Sequence, residues 1–174
     1  MLKIVTAPDP ILNTVCDPCV PGDKSLKKLA RQMEKAMYKN SGVGLAAPQV
    51  GVLQRLIVID CTDQDPKDPT TLVNPEIVET RGEMVRDAEG CLSVPGINVE
   101  IERHEWVRVR YFDLDGNECE ISGDGLLGRC LQHEIDHLDG KTMLESCGPL
   151  ERLKALQDYE EAKARGAMPG DVGE

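Results

Sequence analysis

Aromatic side chains are scarce in this chain, with one Trp, one Phe and three Tyr among 174 residues. The core must rest instead on Leu, Ile, Val, Ala and Met. Basic charge is also short. Twenty Lys and Arg face 31 Asp and Glu, a formal net charge of −11. That balance argues against direct nucleic-acid binding, which needs clustered Lys and Arg on the phosphates. No apolar run reaches the length of a membrane span, so none is expected. The start, Met1-Leu2-Lys3-Ile4-Val5-Thr6, soon meets Pro8 and Pro10 and lacks the apolar stretch of a secretory signal. Cys16-Asp17-Pro18-Cys19 has no second C-x-x-C to complete a zinc ribbon. Seven cysteines, an odd number without a secretory signal, do not read as a disulfide framework. A reducing cytoplasm suits them.

What is present is a run of unusual chemistry, Gln132-His133-Glu134-Ile135-Asp136-His137-Leu138. Histidines four apart on a helix share one face about a turn apart. Both imidazoles can reach one metal ion, and the glutamate between them can serve as a general base. The reaction implied is attack of a metal-activated water on a carbonyl-like carbon. Leu127, Leu131, Ile135 and Leu138 recur at helical spacing, with Asp124 ahead as a cap and Gly140 behind. A hydrolytic site of this type needs a third ligand. Cys130 is too far along the helix to share an ion with His137, about 10 Å at 1.5 Å per residue, and reads as a small buried hydrophobe. Cys16, Cys19, Cys61, Cys91, Cys119, Cys147, His104 and many carboxylates remain, and spacing does not choose among them. His104 reads as structural. Asp136 reads as a partner of the site or a surface carboxylate.

The rest of the chain fits one domain. A helix is predicted over 25–40 on the stripe Leu26, Leu29, Met33, Ala36, Met37, ended by Gly42. Leu56-Ile57-Val58-Ile59 is a buried strand, 60–71 a loop, and 72–80 short strands broken at Pro75. Alternation over 97–103 and 106–112 predicts further strands, with 118–121 returning as a hairpin after Asp113-Leu114-Asp115-Gly116-Asn117. A last helix is predicted over 149–165 with Leu150, Leu153 and Leu156 inward. The expected class is α+β, with short, mostly antiparallel strands around a central metal-binding helix and a helix near each terminus. Residues 1–165 form the expected catalytic domain and 166–174 a mobile tail.

Three runs in order, Gly42-Val43-Gly44-Leu45-Ala46-Ala47-Pro48-Gln49, Glu89-Gly90-Cys91-Leu92-Ser93 and Gln132-His133-Glu134-Ile135-Asp136-His137, resemble the signature motifs of the peptide deformylases. The resemblance implies a cytoplasmic hydrolase in N-terminal methionine processing. It would remove the formyl group from formyl-methionine of newly made polypeptides and release formate. It implies Cys91, His133 and His137 as metal ligands and Glu134 as acid/base. Gln49 and the Leu92 N–H would stabilise the oxyanion. Val43, Gly44 and Gly90 would hold an extended peptide. The ion would be Fe²⁺, replaceable by Zn²⁺, Ni²⁺ or Co²⁺. The residue at Arg129 would lie near the methionine pocket. Arg86-Asp87-Ala88 is more polar than the side wall many members show. Some members dock on the ribosome through a basic C-terminal helix, but here Arg152, Lys154, Lys163 and Arg165 are cancelled by Glu151, Asp158, Glu160 and Glu161. The competing readings are a zinc metalloprotease, with Glu145 or Glu151 as third ligand, and a non-catalytic formyl-peptide-binding module.

Overall fold

The computed structural model describes residues 1–62 and 65–173. Part of the predicted 60–71 loop and the last residue of the predicted tail lie outside the described residues. One sheet organises the fold. Its strands are β1 (Gly44–Ala46), β2 (Leu56–Ile59), β3 (Thr70–Cys91), β4 (Val94–Phe112) and β5 (Glu118–Gly123), in sequential, fully antiparallel order. The helices are α1 (Ser25–Lys39), α2 (Gly125–Leu138), the short α3 (Met143–Ser146) and α4 (Pro149–Ala164). The class is α+β, as expected.

Two strands are far longer than predicted. β3 runs through Pro75 because the ladder slips register between Val73 and Glu76. A bulge tolerates a residue that cannot donate to the ladder. Asn74 makes the bend with φ of +52°. Its side chain ties the bend to Cys19, accepting from that N–H at 2.8 Å and donating to its carbonyl at 2.9 Å. The long β3–β4 hairpin ends at Cys91, which pairs with Val94 across a tight turn.

α2 is nearly encased. Leu131 and Leu138 are fully buried, and Ile135 is nearly so. Each such side chain contributes about 2 kcal/mol on leaving water. Gly140, at φ +76°, ends the helix as its sequence position predicts. Its methylene side faces the backbone of Asn13, where a Cβ would stand 2.9 Å from the carbonyl carbon. α1 buries Leu26, Ala30, Met33, Ala36 and Met37, close to the predicted stripe.

The inward face of α4 differs from the prediction. Leu150, Leu153 and Leu156 are 80%, 62% and 41% exposed, while Ala155, Tyr159 and Ala162 are buried against β4. Small side chains let this helix approach the sheet. The Tyr159 hydroxyl donates to the Ala7 carbonyl at 2.6 Å and fixes the rotation. The stretch beyond α4, expected as a mobile tail, makes contacts with the body. Gly96 N–H donates to the Asp171 carbonyl at 3.1 Å.

Candidate metal centre

α2 and the end of β3 meet at one point. His133 and His137 stand a turn apart on α2, their ring centroids 5.1 Å apart and their planes at 69°. The hairpin turn lays Cys91 over them. Its Sγ is 3.4 Å from His137 Nε2. One ligand atom from each of the three residues falls within 4.8 Å of the others. A thiolate and two imidazoles suit Fe²⁺, Zn²⁺, Ni²⁺ or Co²⁺. Three such ligands would leave a further position open, as catalytic sites do. Among the described residues, His137 Nδ1 and Glu134 Oε2 are buried without a hydrogen-bond partner. Orphaned polar atoms inside a cleft are expected where a ligand or solvent completes the site.

Glu89 is the hub behind this trio. It is 6% exposed and carries four hydrogen bonds. Arg103 donates twice, at 2.8 and 2.9 Å, and Arg129 once, at 2.7 Å. The fourth joins His133 Nδ1 to Glu89 Oε1 at 2.8 Å. That bond turns the opposite ring nitrogen, Nε2, towards Cys91 and Glu134. Arg103 also reaches Asp136, which accepts a bond from the Ser146 hydroxyl at 2.7 Å. Burial would raise the Glu89 carboxyl, but the bonds from Arg103 and His133 hold it well below the usual carboxylate range. Burial opposes charge on His133 too, and contacts with Cys91 and Glu89 overcome it and raise its pKa. His137 is pushed down by burial and by its neighbour His133.

Glu134 is 4% exposed, and its Oε1 lies 4.0 Å from His133 Nε2. Burial pushes its carboxyl up to about 7, against the pull of His133. A group that titrates there is matched to taking and returning a proton near neutrality. Gly44 faces it directly. A Cβ at Gly44 would stand 2.7 Å from Glu134 Oε1 and 2.8 Å from Cys130 Sγ. Gln49 is buried on the other side. Its Oε1 accepts from the Ala46 N–H at 2.9 Å, which orients the amide nitrogen towards Ser93 Oγ at 3.1 Å and Cys91 Sγ at 3.6 Å. Val43, Gly44, Gln49, Gly90 and Leu92 line the same cleft, with a cavity volume of about 250 Å³. Cys91, His133 and Glu134 line it too, while His137 is not among its lining residues and joins the group through Cys91 Sγ.

Cys130 lies outside the Cys91, His133 and His137 group. Its Sγ faces the Val43 carbonyl at 3.8 Å. His104 is exposed and meets α2 only through its backbone, which exchanges two bonds with the Gln132 amide. Glu145 and Glu151, the third ligands a metalloprotease would call on, are engaged elsewhere. Glu145 holds Thr142 and Asn13, and Glu151 pairs with Arg86 at 2.6 Å. Sequence reasoning assigned no role to Glu89, Arg103 or Ser93. The alternation Ile97, Val99, Ile101 carries a signal, because Arg103 is the next inward position.

Comparison with known proteins settles the family. The family model described as polypeptide deformylase matches residues 1–153. The chain belongs to this family. It is thus a metal-dependent hydrolase that removes the formyl group from the N-terminal formyl-methionine of nascent polypeptides. The peptide deformylase of Hydrogenovibrio crunogenus is 43% identical over 166 residues, which span 95% of this chain and 97% of that one. That of Alkalilimnicola ehrlichii is 40% identical over 168 residues, 97% of this chain and 94% of its own. A solved deformylase from Legionella pneumophila superposes with a TM-score of 0.88 at 43% identity, covering 95% of this chain and 97% of that one. One from Synechococcus elongatus, solved with actinonin, gives 0.85 at 39% identity, over 91% of this chain and 88% of that one.

Proposed function

We propose that this deformylation runs on Cys91, His133 and His137 as ligands of one divalent ion, Fe²⁺ in the native protein, with Glu134 as acid and base. The observation that carries this reading is the buried Glu134 carboxyl beside the Cys-His-His trio, its Oε2 without a hydrogen-bond partner among the described residues. An ion held there, when bound, supplies Lewis acidity and brings the pKa of water towards neutrality. Glu134 takes a proton from the attacking water and hands it to the departing amine. The Gln49 amide, already aimed at Cys91, meets the formyl oxygen as charge develops on it, together with the Leu92 N–H. One such donor is worth about 3 kcal/mol in the transition state. Gly44 and Gly90 let the peptide backbone come close, and Val43 supports it along the strand edge. A formyl hydrogen needs less room than a methyl group, so a tight site selects formyl over acetyl.

The substrate places the protein in the cytoplasm, where nascent chains emerge. Ribosome association is the further partner reading. The charges of α4 and Arg165 cancel, so it would rest on the exposed Leu150, Leu153 and Leu156. Cosedimentation with ribosomes, with and without residues 149–174, checks it.

The deciding experiment is an anaerobic assay for formate from formyl-Met-Ala-Ser, with metal analysis of the same sample. Formate release in proportion to bound ion supports the reading. A metal-loaded protein that releases none overturns it, and so does an ion bound away from Cys91.

A further inference from the structure

The final described stretch crosses one end of the catalytic cleft, bonded to one rim and closely packed on the other. On the β4 rim, the Gly96 N–H donates to the Asp171 carbonyl at 3.1 Å and Asn98 Nδ2 to the Gly173 carbonyl at 3.4 Å. A Cβ at Gly173 would stand 2.7 Å from the Asn98 nitrogen, so only glycine fits that approach. On the other rim, beyond the end of α1, a Cβ at Gly170 would stand 2.7 Å from the Asn40 carbonyl oxygen. Gly170 also holds φ of +99°, which other residues rarely adopt. Between the rims a turn closes on itself. Met168 N–H donates to Asp171 Oδ2 at 2.7 Å, and Asp171 N–H to the Met168 carbonyl at 2.9 Å.

The result is a strap. Gly170, Asp171 and Val172 line the same cleft as Gly44, Gly90 and Glu134. Val172 is 82% exposed, an apolar side chain the protein leaves uncovered. The two ends of the cleft differ. His133 and Glu134 are buried at one, while Ser41, Asn98 and Val172 are exposed at the other. A peptide whose formyl end lies on the buried groups and whose chain is extended advances about 3.3 Å per residue towards the open end. Its second and third residues then reach the strap.

We propose that Gly170–Val172 form the wall of a subsite for the residues that follow formyl-methionine. Val172 packs on the aliphatic part of their side chains, and Asp171 favours a basic residue over an acidic one. The proposal rests on the formyl-peptide reading above.

Two peptide amides test it, formyl-Met-Ala-Lys and formyl-Met-Ala-Glu, on full-length metal-loaded protein. The Lys peptide is expected to have the higher kcat/KM by about threefold, the scale of one exposed charge pair. Asp171→Asn keeps an oxygen for the Met168 N–H and is expected to bring the ratio close to one. Ending the chain after Ala167 is expected to weaken both peptides, in KM more than in kcat. Calorimetric titration of each peptide into metal-free protein gives a second readout, in which both variants bind the Lys peptide more weakly. Wild-type protein that binds the peptide selectively but releases no formate overturns the activity reading and leaves the wall standing. Wild-type protein that hydrolyses both peptides equally, or variants that match it in ratio and in affinity, overturn the wall. So does wild-type protein that binds neither peptide.

Discussion

Glu89→Gln removes one charge and almost no volume, so it isolates what the hub carboxylate does. The wild-type group accepts from Arg103 twice, from Arg129 once, and is joined to His133 Nδ1. A glutamine keeps one oxygen and turns its other position into a donor. If the amide nitrogen faces Arg129 and Arg103 Nε, two guanidinium donors meet a third donor. If it faces His133, Nδ1 must become the acceptor and the ring proton moves to Nε2. That is the nitrogen needed for a metal. Either outcome damages the site. Breaking one side of a buried ion pair costs about 3 kcal/mol at the low end. Asp136 still holds Arg103, so that low end is the apt figure. For a domain of this size, about 2–4 °C of melting temperature goes with each kcal/mol. The variant should therefore melt about 6–12 °C early yet stay folded, since domains hold about 5–15 kcal/mol in reserve.

The second consequence is on metal affinity. Removing the partner that orients a ligating histidine costs about 10–100-fold. Chelator competition measures it, beside thermal unfolding of the metal-free form. Unchanged metal affinity in Glu89→Gln would refute the orienting role, even if the variant melts early. An unchanged melting temperature would refute the buried-pair reasoning.

Glu134→Gln should retain the ion, since the proposed ligands are Cys91, His133 and His137, while kcat falls about 10²–10⁴-fold; full turnover in that variant defeats the mechanism. Gly44→Ala should drive a methyl against Glu134 Oε1 and Cys130 Sγ. A displaced catalytic group can cost on the order of a hundredfold, read as kcat/KM. A Cys91 thiolate holding Fe²⁺ would be open to oxidation, so iron-loaded protein should lose activity in air faster than nickel-loaded protein, and equal decay would contradict this. Away from the site, Asp60 is 1% exposed and accepts from Tyr38, Thr62 and the Asp68 N–H. Burial would raise its carboxyl, but those bonds hold it at about 2, below the usual 3.8. A depressed carboxyl contributes stability above 3.8 that disappears as pH falls towards about 2. The urea midpoints of wild-type protein and Asp60→Asn should thus converge across that window, and a constant gap would count against the assignment.

Local pattern made α2 legible, because both its chemistry and its apolar face repeat within one helix. α1 was legible for the same reason. Cys91 was not, since it arrives from another element and nothing in its spacing separates it from Cys61 or Cys119. Only the combined motifs pointed to it. α4 shows the opposite failure. Its leucines recur at helical spacing, yet the side chains that meet β4 are alanines and a tyrosine, because close approach and one hydrogen bond outweigh apolar area there. Pro75 predicts a break in β3 because proline ends ladders in general, and a bulge at that point absorbs it.

The charged network explains why the site is more precise than its parts. Arg129 comes from α2 and grips Glu89 and the Val85 carbonyl on β3. Arg103 comes from β4 and grips Glu89 and Asp136 on α2. Each guanidinium therefore spans two elements, and the bonds of Arg129 and the bond of Arg103 to Asp136 close only when the hairpin is seated on the helix. The same seating carries Cys91 to His137. Buried charges left unpaired are expensive, so a hairpin misplaced by one register step would strand Glu89 and both arginines together. The energy that forbids that error is the energy that sets the spacing of the three ligands.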